Sequence, residues 1–90
     1  MAKITLPTVH LNGTSAEELL GQVTQAAKKI HEAMAALANA SPNGRDYYPQ
    51  GDRAFTFADL EHLDRMNRLR SVYDELFTIA ESITDQDEAK

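Results

Sequence analysis

Between Ala16 and Leu37 the apolar residues fall at Ala16, Leu20, Val23, Ala27, Ile30, Met34 and Leu37, in alternating steps of four and three. That spacing keeps one stripe of an α-helix apolar and suits no strand. Sustained over about three heptads, it is a seam of the coiled-coil type and requires another helix to cover it. Alanines at 26, 33, 35, 36 and 38 flank the stripe; they favour helix and let a neighbour approach closely. Gly21 is the weak point, marking either a close contact or a tolerated loss of helix propensity.

The ends of this helix are written locally. Thr14/Glu17 and Ser15/Glu18 both have capping-box spacing, with Leu11 placed to staple onto the first turn. Ser41-Pro42-Asn43-Gly44 closes it, because proline biases its predecessor out of the helical region and Asn-Gly supplies a turn. Helix 1 is therefore predicted over 15–40. A second helix is predicted over 56–83, starting at Thr56 or one turn earlier at Asp52. Its seam reads Met66, Leu69, Tyr73, Leu76, Ala80 and Ile83. A further stripe, Val72, Leu76, Ile79 and Ile83, lies beside it, and Phe77 widens the apolar arc. One partner helix cannot cover so wide an arc, so either an N-terminal arm or a second chain must.

Residues 1–13 alternate weakly, with Ile4, Leu6, Val9 and Leu11 apolar and Pro7 interrupting any ladder. They read as an extended arm docked along a helix or paired with another copy. Residues 41–55 form an aromatic loop, and the acidic, polar residues 84–90 are expected to fray. The expected architecture is all-α: one domain, a long antiparallel helical hairpin with an extended arm, assembling into an oligomeric helical bundle.

Composition narrows the chemistry. At 90 residues a single core is marginal, and the absence of cysteine removes disulfides and thiolate metal sites together. Self-association is the remaining way to add buried surface. A net charge of −5 disfavours DNA and anionic lipid as partners. No apolar run has membrane-spanning length and the start lacks a signal-peptide pattern, so a soluble protein of the cytoplasm is expected.

His10, His31 and His62 lack metal-ligand spacing, and His62 reads as a packed residue near the loop. The serines lack a nucleophile-elbow context, no glycine-rich phosphate loop is present, and the carboxylates form no metal set. No catalytic residue, metal or cofactor is expected. The loop is richer: Arg45, Tyr47, Tyr48, Gln50 and Arg53 combine flat rings with guanidinium donors, which stack on a nucleobase and grip phosphate. The same tyrosines equally suit capping the open end of a hairpin. Arg65 and Arg68 share a face of helix 2 and would hold a phosphate between them; Glu61 and Asp64, each four residues earlier, equally suit ordinary surface ion pairs with them.

The phrases Val9-His10-Leu11-Asn12-Gly13-Thr14-Ser15, leading into Glu17-Glu18-Leu19-Leu20, and Asn43-Gly44-Arg45-Asp46-Tyr47-Tyr48-Pro49-Gln50 resemble small helical proteins of tailed phages and prophages. The resemblance implies an accessory protein of the anti-defence kind, acting in the host cytoplasm. Proteins of that size and build include oligomeric sponges for nucleotide immune signals and direct inhibitors of host proteins. The function expected is thus a non-enzymatic homo-oligomer that sequesters a small anionic nucleotide through Arg45, Tyr47, Tyr48, Gln50, Arg53, Arg65 and Arg68. The alternative is a protein-interaction module that inhibits or adapts a host or phage protein.

Overall fold

A computed structural model describes residues 3–89. An extended arm leads into α1 (Ala16–Asn39), two single 3-10 turns (Gly44–Asp46 and Tyr48–Gln50) and α2 (Ala54–Glu88). The two long helices pack antiparallel as a hairpin. Ala16 lies beside Ile83 and Asp87 at one end, and Ser41 meets His62 at the other.

Of the two candidate caps for α1, Ser15 is the one used: its Oγ accepts from the Glu18 amide at 3.1 Å. Glu17 and Glu18 stand in the first turn, where the helix dipole favours them. The hydrophobic staple does not form. Leu11 is 97% exposed, because it sits at the corner of a turn closed by the Gly13 amide donating to the His10 carbonyl at 3.1 Å. Gly21 is exposed, and a Cβ built there meets nothing within 4 Å, so no close contact requires it.

α2 differs from expectation at both ends. It starts at Ala54, and neither Asp52 nor Thr56 caps it; Arg53 takes the N-cap place with no side-chain hydrogen bond. The preceding 3-10 turn feeds directly into the helix, with the Ala54 amide donating to Gly51 at 3.4 Å and Phe57 to Arg53 at 3.0 Å. At the other end, the segment expected to fray from Thr84 is helical to Glu88; Lys90 lies outside the described residues.

The reason is Gln86. Its side-chain Oε1 accepts from the Val9 amide at 2.8 Å, and its Nε2 donates to the Pro7 carbonyl at 2.9 Å. Residues two apart on an extended chain face the same way, so one primary amide satisfies both as a neighbouring strand would. Pro7 loses nothing here, since only its carbonyl is needed. The arm is therefore docked, and it docks on this chain's own α2; Met1 and Ala2 lie outside the described residues.

Burial follows from that geometry. Ile83, three residues from Gln86, is the one large side chain fully buried among the described residues, and Ala16 beside it is 8% exposed. Along the stripe leading away from the arm, Ile79 is half-buried and Val72 is 42% exposed. The arm thus covers one end of the excess apolar arc and leaves the rest. Both seams face inward as expected, yet Leu20, Val23, Ile30, Met34, Leu69 and Leu76 are only half-buried. Two helices side by side have no third element to roof their contact.

The loop end has its own anchor. His62 is 6% exposed, with Nε2 3.2 Å from Ser41 Oγ. Ser41 Oγ donates its one proton to the Ala38 carbonyl at 2.7 Å, so the hydroxyl is left to accept and His62 Nε2 carries the hydrogen. His62 is the packed residue the sequence pointed to. The molecule measures 61 × 24 × 18 Å, and its radius of gyration is 18.7 Å. A compact domain of this length has about 12 Å.

Candidate functional site

The crossover is a built object. Asn43 Oδ1 accepts from the Arg45 amide at 3.1 Å and starts the first 3-10 turn. Tyr47 donates to Gly44, Gln50 to Tyr47 and Gly51 to Tyr48, each at 3.0–3.1 Å. Pro49 fits the start of the second turn because its missing N–H is not needed there. Gly51 then reverses the chain at φ 118°, a conformation open to glycine and strained for other residues. Expected as an open loop over 41–55, this stretch is a chain of internally bonded turns ending at Ala54.

The turns separate the adjacent tyrosines. Tyr47 is half-buried, whereas Tyr48 is 74% exposed. Arg45, Gln50 and Arg53 are exposed around it, and among the described residues neither Arg45 nor Arg53 forms an ion pair. Arg65 and Arg68 lie on α2 beyond His62, where the end of α1 meets that helix. They lie about 16 and 21 Å further along α2 from its start, at 1.5 Å per residue. Each faces a carboxylate one turn earlier: Arg65 to Glu61 at 4.0 Å and Arg68 to Asp64 at 3.0 Å, both solvent-exposed. Such pairs contribute at most about 1 kcal/mol and leave the guanidinium edges accessible.

Two surfaces stand out that the residue types alone did not. The first adjoins the crossover. Phe57, Leu60 and Leu63 recur every three residues on α2 and are 55, 58 and 52% exposed. They face away from Ala58 and His62, which close against the loop end of the hairpin. The signal is present as apolar residues outside the predicted seam, which begins at Met66.

The second surface is a groove between the helices. Thr24, Ala27, Lys28 and His31 of α1 and Tyr73, Leu76, Phe77 and Ala80 of α2 line a cavity of about 410 Å³. The His31 and Tyr73 rings meet across it with centroids 5.8 Å apart, and Phe77 on its edge is 55% exposed. Its traces in the sequence are the seam residues Ala27, Tyr73, Leu76 and Ala80 and the arc-widening Phe77; nothing in the spacing of His31 marks it as part of a groove.

Among the described residues, no three His, Asp or Glu side chains are grouped to hold a metal ion, and no buried polar side-chain atom lacks a partner. No helix among the described residues is long and apolar enough to cross a membrane. No family model, curated protein or solved structure matches the chain.

Proposed function

We propose that this chain is a non-enzymatic binding protein that works as an assembly of hairpins and docks onto a second protein through the loop end of α2. The observation that carries this reading is the row Phe57, Leu60 and Leu63, presented to solvent at helical spacing. Single exposed apolar residues are ordinary, but three in register on one helical face form the anchor pattern by which a helix fits an apolar groove. Tyr48 extends the row onto the crossover with a large, rigid ring. In the phage setting that the motifs resemble, the partner is a host or phage protein that this chain inhibits or adapts.

The test compares wild type with Leu60→Asp/Leu63→Asp as baits in an extract of the producing cell. One stoichiometric protein held by the wild type and released by the double variant is the expected result. Equal capture by both, or by neither, overturns the reading.

One observation favours a second reading, sequestration of a small anionic nucleotide. Tyr48 offers an open ring face while Arg45 and Arg53 nearby carry no ion pair among the described residues. Base stacking on an aromatic is worth about 1–3 kcal/mol, and arginine supplies the phosphate contact. Arg65 and Arg68, further along α2, are additional candidates for the phosphate contact. Titration calorimetry with cyclic nucleotides and ADP-ribose derivatives decides it. Binding that weakens about tenfold or more in Tyr48→Ala supports the reading, and no heat with any of them ends it.

A further inference from the structure

We infer that the open flank of the hairpin, centred on Thr24, Phe77 and Ala80, seats a second copy of this chain lying antiparallel to the first. The inference rests on the reading of the protein as an assembly and specifies its interface. Two neighbouring cavities, of about 410 and 470 Å³, share those three residues and run together as one groove along the helices.

The arm leaves this groove open. It is bonded to Gln86, and Gln86 lies nine positions beyond Phe77, about two and a half turns, which puts the two on opposite sides of α2. Phe77 accordingly stays 55% exposed over an apolar floor.

The surface of the chain as a whole leaves room for a large occupant. The chain exposes 6972 Å². A folded monomer of 10.0 kDa exposes about 5,200 Å², so the surplus is about 1,700 Å². A standard interface removes about 800 Å² from each partner, well within that surplus. Shape identifies it as a copy. The groove sets the exposed ring of Phe77 beside the short side chains of Thr24, Ala27 and Ala80. A two-fold contact needs such a patch, in which each copy supplies both the knob and the hollow.

Charge sets the direction. One half of the groove carries Lys28 and His31, and the other carries Glu81, Asp85 and Glu88. Parallel copies would set the three carboxylates against themselves and Lys28 against Lys28. Antiparallel copies, related by an axis near Phe77, set Glu81 and Asp85 against the half that holds Lys28. Like-charge juxtaposition is the stronger discriminator of the two.

Sedimentation equilibrium should give twice the 10.0 kDa chain mass for the wild type. It should give a single chain mass for Phe77→Asp, with the helical circular dichroism retained. Leu60→Asp/Leu63→Asp should remain dimeric, which separates this interface from the docking row. The chain has no cysteine, so single thiols report direction on the folded protein. Thr24→Cys, near the axis, should form an intermolecular disulfide readily. Thr84→Cys, near one end of the groove, should not, because the antiparallel copy carries its own thiol to the far end. A monomeric wild type, a dimeric Phe77→Asp, or equal crosslinking at both positions overturns the inference.

Discussion

The two flanks of α2 begin alike in the sequence and end differently in the fold. On one flank the arm lies down, Gln86 bonds it at Pro7 and Val9, and Ile83 is sealed from solvent. On the other flank no further segment of the described residues arrives, and Phe77 remains 55% exposed over a groove. Similar apolar residues thus become core on one side and surface on the other. The difference lies in whether a third segment reaches them, since two helices alone leave their shared seam half-covered. Stability is therefore concentrated at the arm end, and binding capacity on the uncovered faces.

The sharpest way to break this comparison is to hollow out the closed flank. Ile83→Ala removes the one fully buried large side chain among the described residues, and should cost about 2–4 kcal/mol in urea unfolding. A loss below about 0.5 kcal/mol, the usual range for surface positions, would show that the arm end is not the centre of stability.

A smaller effect isolates the arm. Gln86→Ala deletes two hydrogen bonds to the arm backbone and should cost about 1–2 kcal/mol. Hydrogen exchange at the Val9 amide should accelerate together with it. Unchanged protection of Val9 would mean that apolar contacts hold the arm without Gln86.

Gly21→Ala should stabilise the chain by about 0.5–1 kcal/mol, because its added Cβ meets nothing within 4 Å in an exposed helical position. Destabilisation would place Gly21 inside an interface between copies. The least change is expected on the docking row, where Leu60→Ser should alter unfolding by less than about 0.5 kcal/mol while weakening partner capture. A large loss of stability there would return Leu60 to the core and remove the basis of the proposed docking surface.

Much of the hairpin was legible because its signals are local and periodic. The four-three spacing gave α1 and the seam of α2, Ser15 with Glu18 gave a cap, and Pro42 with Asn43-Gly44 gave the break. The misses were long-range or conformational. Thr84–Glu88 reads as a polar tail, and only a contact with residues 77 and 79 positions away makes it an ordered helix end. Leu11 has the right spacing for a staple, but the turn closed by His10 and Gly13 points it into solvent. In the candidate site, residue types marked Tyr47 and Tyr48 as a pair. The two 3-10 turns leave one half-buried and the other exposed.

The sequence by itself determined that this chain makes two amphipathic helices joined by an aromatic crossover, because periodicity and capping act within a few residues of each other. Tertiary structure alone decided which apolar face is covered. That outcome depends on where the arm lands, and the arm lands where one side-chain amide, far away along the chain, satisfies two backbone groups at once.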